Sequence, residues 1–363
     1  MPAEGITDER VEQAVRQSAR EARRAERFLG VEVQDISQMI ARVDAGGPVR
    51  YLVDPLWPAD AYGVIAARDK AGKTWAAVDL ALSVATGGSW FGRFPCVQGP
   101  VLMYSGEGGA RNIVRRVRAV CEQKGVQEGL LTGHLRVGEQ APELRKDRAI
   151  EQLDEELLLF HPALVIIDPL YLAAIGGRGS DLYAMGELLT DVQQTCQSAR
   201  AALLFTHHWN KTGEGTGAQR MTGVGPGAWG RVLGSGSVER VTRDGQKETV
   251  EVEWEFTGSE IPGTTFTMTR TVWADDPHDL SSPLHYEVEA VGGLARLLHI
   301  AERQLEQRDQ LLAFLAEHPR SSGNAVEQVQ GRVGRDLLRE LEAEGLVRWE
   351  LGPRRAKLWS AVS

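Results

Sequence analysis

The stretch Tyr62–Gly87 constrains the fold more than any other part of the chain. The apolar run YGVIAA (62–67) passes through Arg68-Asp69-Lys70-Ala71-Gly72-Lys73-Thr74 straight into KTWAAVDLALSVATG. This reads as a strand, a tight glycine-containing loop and a helix with Ala76, Leu80, Ala81 and Val84 along one side. Three further apolar runs follow: GPVLMYSGE (99–107), ALVIIDPL (163–170) and AALLFTHH (201–208). Between the loop helix and the third run lies RNIVRRVRAVCEQKG, an amphipathic helix closed by Gly125. Near-continuous apolar strands alternating with helices predict an α/β fold with a parallel sheet covered on both faces. From residue 237 the period changes to two in SVERVTR, ETVEVEWEF, TFTMTRTVWA and LHYEVEAV. These segments predict antiparallel strands that extend the same sheet.

The chain has 363 residues, enough for one large domain and a satellite. Residues 7–29 predict a helix with a weak seam of Val11, Val15, Ser18, Ala22, Ala25 and Leu29, and Glu and Arg on its other faces. Two readings stay open for it, a solvated surface helix or a helix packed on a neighbouring subunit. After Gly292-Gly293, three helical stretches and a hairpin around Gly352-Pro353 have the layout of a winged helix. The expected division is a helix at 1–29, an α/β core at 30–295 and a winged helix at 302–363. No window offers eighteen consecutive apolar residues, and Met1–Leu29 lacks the apolar core of a secretory signal. Cys96, Cys121 and Cys196 form no close pair, which fits a reducing cytoplasm and argues against a disulfide scaffold or structural zinc. A net charge of −9 argues against a surface that coats nucleic acid as a whole, leaving a local patch or pore.

The chemistry centres on Ala67–Thr74. A loop of small residues opening a helix lets backbone N–H groups wrap phosphate oxygens where the helix dipole is positive. In that reading Ala67, Arg68, Asp69, Lys70, Ala71, Gly72, Lys73, Thr74 and Trp75 bind nucleotide. Lys73 reaches the β- and γ-phosphates and Thr74 offers its hydroxyl to Mg²⁺. Two residues depart from the usual pattern: Ala67 stands where glycine is expected, and Asp69 adds a negative charge that Lys70 offsets. Asp168 ends an apolar strand where a Mg²⁺-associated carboxylate belongs. Glu107, one strand over, suits activation of an attacking water, against the plainer reading of an acid favoured by a helix N-terminus. His207 and His208 close the fourth run. An imidazole there can report the γ-phosphate to a nearby loop, against the plainer reading of polar strand-end residues; as consecutive strand residues they point to opposite faces, which makes a poor metal site.

AARDKAGKT, VLMYSGEGGARNIVRRVRAV, LVIIDPL and LLFTHHWNK occur here in the order found in ATPases of the plasmid RepA helicase type. The chain resembles that RecA-like family, related to DnaB-type helicases and KaiC-like proteins, over residues of about 45 to 240. The resemblance implies a ring, most simply a homohexamer, with ATP and Mg²⁺ held between subunits. It implies that Lys73 and Thr74 bind phosphate and metal, Glu107 is the catalytic carboxylate, Asp168 the acidic metal partner, and His207 or His208 the sensor. It also implies an arginine supplied in trans, for which Arg231 is the first candidate and Arg220 the second. RMTGVGPGAWGRV replaces the family's usual run before that arginine, and the later strands lack a clear Lys-x-Arg pair.

The expected activity is ATP hydrolysis driving movement on single-stranded DNA, as a replicative-type helicase of a plasmid or phage, with no membrane partner. Trp209, Lys211, Arg220 and Trp229 are candidates to line the strand channel. Arg332, Arg335 and Arg339 on the third C-terminal helix, with Arg348, Arg354, Arg355 and Lys357 near the hairpin, suit duplex contact. Protein docking is the alternative role for this module. Two further readings stay open for the whole chain: a recombination or loader ATPase switched by nucleotide without unwinding, and an ATP-sensing DNA-binding regulator.

Overall fold

The computed structural model describes residues 33–68, 70–175, 182–209, 229–292, 307–330, 333–352 and 356–362. The chain divides into two compact units, Met1–Val291 and Gly292–Ser363. The helix expected at 7–29 lies outside the described residues.

The first unit is an α/β domain built on a nine-stranded sheet. Its strands are β1 (Tyr62–Ala67), β2 (Val101–Ser105), β3 (Leu135–Gly138), β4 (Leu164–Asp168), β5 (Ala202–His208), β6 (Val232–Asp244), β7 (Lys247–Gly258), β8 (Thr264–Ala274) and β9 (Leu284–Val291). Across the sheet they run β9-β8-β7-β6-β1-β5-β4-β2-β3. Strands β6, β1, β5, β4, β2 and β3 are parallel, and β6 to β9 pair antiparallel. The four apolar runs and the period-two segments become the predicted strands. β3 escaped sequence reading, because LRVG is short and none of it is fully buried.

The longer helices are α1 (Ile36–Gly46), α2 (Lys73–Thr86), α3 (Gly109–Lys124), α4 (Asp147–Phe160) and α5 (Leu182–Ser198). α2 and α3 end on Gly87 and Gly125, whose left-handed backbones return their N–H groups to carbonyls of the last turn. α1 buries none of its residues. Because successive strand residues face opposite ways, the parallel strands feed two cores. Ile65, Met103, Ile166 and Leu204 pack with α2 and α3 on one face. Val64, Leu102, Val165, Leu203 and Phe205 pack with α4 and α5 on the other. Trp90, Phe91, Trp254, Phe256 and Phe266 join the antiparallel extension to the first core.

The second unit contains, among its described residues, a helix at 307–317 (α6), α7 (Gly323–Gln330) and α8 (Val333–Ala343). A three-stranded antiparallel sheet joins β10 (Ser321–Ser322) and β11 (Val347–Leu351) through β12 (Lys357–Ala361). Its core is Leu311, Leu315, Val326, Leu337, Leu338, Leu341, Val347 and Trp359.

Two expectations need correction. Trp209 and Trp229, expected to line a strand channel, belong to or pack against the α4/α5-side core. Trp209 is buried, and Trp229 packs against Tyr62 and Phe205 while its indole N–H donates to Gln193 Oε1 at 2.8 Å. Trp209 directly follows β5 and Trp229 shortly precedes β6, which sets both rings beside this core. Lys211 and Arg220 lie outside the described residues.

Candidate nucleotide site

The site forms at the C-terminal edge of the parallel strands. β1 and β4 are not neighbours, because β5 runs between them. The chain therefore presents Ala67, His208 and Asp168 side by side at one edge, in the crevice where open α/β sheets bind ligands. A cavity of about 240 Å³ lies there, lined by Lys70, Gly72, Lys73, Thr74, Trp75, Glu107, Arg116, Asp168, Pro169, His208, Glu248 and Arg270.

Ala67 ends β1 and is fully buried, with an ordinary negative φ, so its position makes no demand for glycine. Gly72 does face that demand. It caps α2 at φ +91°, and a Cβ there would stand 2.7 Å from Arg270 Nε. Lys70, at φ 68°, carries the turn before it. Ala71 is buried beneath the loop, Arg68 is exposed, and Asp69 lies outside the described residues. Lys73 is buried, and its ammonium donates to the Ala67 and Arg68 carbonyls at 3.1 Å each and lies 3.3 Å from His208 Nδ1. The lysine is thus held on its own loop by acceptors that a phosphate oxygen can replace.

Asp168 is buried at the end of β4. The Thr206 hydroxyl donates to its Oδ1, and its Oδ2 has no hydrogen-bond partner among the described residues. Burial pushes its carboxyl up, against the Thr206 and Thr74 side chains, which favour the ionised form. Glu107 follows β2, and the Tyr171 hydroxyl, from the turn after β4, donates to its Oε1 at 2.6 Å. That bond, with the charge it faces, pushes the phenol up to about 12.

The two histidines separate as alternation requires. His208 lines the cavity, stacked edge-on to Tyr171 at 5.8 Å. His207 is not among the lining residues, and burial, with the neighbouring His208 and Lys73, pushes its imidazole down to about 4. Arg231 sits at the opposite edge of the sheet. Its N–H donates to the carbonyl of Tyr62, at the start of β1, and its guanidinium lies 3.6 Å from Glu260 and over the Tyr62 ring. It takes no part in this chain's own cavity.

Sequence reasoning missed Arg116, Tyr171, Glu248 and Arg270. Arg116 is one of several arginines on α3, and only helical phase selects it. Arg270 did leave a signal. It lies among Phe266, Met268, Val272 and Ala274 on one face of β8, a charge within an apolar row. Trp75, placed in the site from sequence, lines the cavity with its ring stacked 4.7 Å from Tyr286.

No helix among the described residues is long and apolar enough to cross a membrane. No curated protein matches the chain. A family model described as an AAA domain matches residues 22–214, a span that holds the loop, Glu107, Asp168 and both histidines. With that match over more than half of its length, the chain belongs to the AAA domain family of P-loop ATPases.

Proposed function

We propose that the protein is an ATP-hydrolysing motor of the plasmid RepA helicase type, acting on DNA as a ring of identical subunits. One observation carries the reading: Lys73, Thr74, Glu107, Asp168 and His208, from four separate strand ends, share one cavity. ATP seats its phosphates on the N–H groups at the start of α2, and Lys73 leaves its loop carbonyls to follow the β- and γ-oxygens. Thr74 and Asp168 suit Mg²⁺, one as a hydroxyl ligand and the other as an acceptor for metal-bound water. When bound, Mg²⁺ supplies positive charge to the β- and γ-phosphoryl oxygens. Glu107 takes the proton of the attacking water, and Tyr171 holds that carboxylate in place from the far side. His208 touches both Lys73 and the cavity, which favours it over His207 as the sensor of the γ-phosphate.

Arg231 is half-exposed and remote from its own cavity, as a residue serving a neighbour must be. The second unit has the helix order and small sheet of a winged helix, with Arg348 exposed on β11 and Lys357 Nζ 3.9 Å over the Trp349 ring. Arg335 is engaged by Glu327 at 2.7 Å, so DNA contact there requires an exchange of partners. Arg332, Arg354 and Arg355 lie outside the described residues.

Steady-state ATP hydrolysis, measured across protein concentration with and without single-stranded DNA, tests the proposal. Turnover that rises steeply with concentration, responds to DNA and disappears in Lys73→Ala and Glu107→Gln supports it. Nucleotide binding without turnover moves the assignment to a nucleotide-sensing DNA binder. DNA-stimulated turnover without strand displacement leaves a loader or recombination ATPase.

A further inference from the structure

Arg270 is a poorly satisfied charge in the cavity. It is 4% exposed, on the face of β8 that also buries Phe266 and Met268. An arginine so deeply buried ordinarily has its donors paired. Here Nη2 donates to the Lys70 carbonyl at a long 3.3 Å, Glu248 Oε1 stands 3.7 Å away, and Nε has no partner among the described residues. A guanidinium cannot shed its proton, so the unmet donors retain their desolvation cost. Arg116, reaching the same cavity from α3, has an Nη1 with no hydrogen-bond partner among the described residues. The two cations line one cavity with Gly72, Lys73 and Thr74 at the start of α2, where the helix dipole adds further positive charge, and Arg116 disfavours the charge on Arg270.

We infer that Arg270 is a phosphate-binding residue of this site, gripping the nucleotide's β-phosphate in cis from the antiparallel extension, with Glu248 as the counter-ion that gives way to it. The inference rests on the nucleotide reading above. The β-phosphate is the assigned contact because Arg270 lies on Gly72 and Lys70, the part of the loop that cradles it. Glu107, Asp168 and His208 occupy the γ-phosphate side. Glu248 is free to leave, because it is 32% exposed and Arg243 already meets it at 3.0 Å. An anion between Arg270 and Arg116 fills both sets of empty donors and removes their mutual repulsion.

Binding of fluorescent ATP and ADP analogues to the full-length protein, with AMP as competitor, tests the assignment. Failure of the wild-type protein to bind any of them overturns the nucleotide reading itself. Given wild-type binding, Arg270→Gln is expected to weaken ATP and ADP alike by about 10- to 100-fold and to leave AMP little changed. Arg270→Lys should recover part of the loss. Loss for ATP alone overturns the β-phosphate assignment, and unchanged affinities in a cooperatively folded variant overturn the inference. Should both arginine variants fail to fold, Glu248→Gln decides. A displaced counter-ion predicts tighter ADP binding by about two- to fivefold, because a competitor is removed. A purely structural partner predicts a lower melting temperature with affinity unchanged, which overturns the inference.

Discussion

Asp79 ties together four parts of the α/β unit: α2, α3, the Phe91 turn and β9. It is wholly buried in α2, 2.9 Å from Lys124 Nζ of α3, and accepts from the Phe91 N–H at 3.1 Å and from the Tyr286 hydroxyl of β9 at 3.3 Å. Replacing it with alanine strands a lysine that is only 10% exposed, a loss of about 3–5 kcal/mol. Urea unfolding of Asp79→Ala should show it, and adding Lys124→Met should restore part of it; additive losses would mean the pair is not coupled. His207 makes a prediction in pH. Its folded value of about 4 lies below an ordinary histidine's 6.5, so folding favours the neutral ring. That stability is complete above pH 6.5 and is lost as pH falls through 6.5 toward 4, reaching about 3 kcal/mol. His207→Gln should therefore lose less thermal stability than wild type between pH 7 and pH 4.5. Parallel curves would place the acid sensitivity elsewhere. None of this was legible in the sequence. Asp79 reads there as a polar interruption on an apolar helix, and its partners are distant in the chain.

Strand β6 lets the antiparallel extension approach the loop strand. Gly236 lies opposite Ala67, and a Cβ on it would stand 3.0 Å from both the Ala67 Cβ and the Trp254 ring. Gly234 is as tight, 2.7 Å from the Phe256 ring. These glycines permit close approach of neighbouring side chains. All of those neighbours are fully buried, so Gly236→Val cannot be absorbed by a surface rotamer. It should cost about 1–3 kcal/mol, and by displacing Ala67 it should weaken nucleotide binding as well. A lower melting temperature with unchanged nucleotide affinity would show that the loop is insulated from β6. At this scale the sequence was readable where periodicity is strong. Four apolar runs became parallel strands and four alternating runs became antiparallel ones. It was silent on order: nothing local says that β5 inserts between β1 and β4, or that β8 turns Arg270 toward the loop. Strand order is set by long-range packing, and the motif strands are apolar on both faces, which removes the alternation that would mark an orientation.

At the scale of the molecule, charge is distributed unevenly. Gly292–Ser363 carries 11 Lys and Arg against 10 Asp and Glu, so the first 291 residues hold −10 of a total −9. Under the proposed function, attraction to DNA phosphates comes from local surfaces, with the near-neutral second unit least opposed by its own net charge. That unit has a continuous core running from Leu311 to Trp359, and the first unit's sheet and both its cores end before it begins. A chain ending at Val291 should therefore fold and retain wild-type ADP affinity, because every cavity-lining residue precedes that point. Its duplex DNA binding should fall to the background level of an acidic protein. In the full-length protein, the logarithm of the DNA association constant should decrease with the logarithm of salt concentration, at about 0.9 per phosphate contact. Deletion should abolish that slope together with the affinity. Retention of duplex binding by the shortened chain would assign the DNA surface to the α/β unit and leave the C-terminal unit as a protein-docking module.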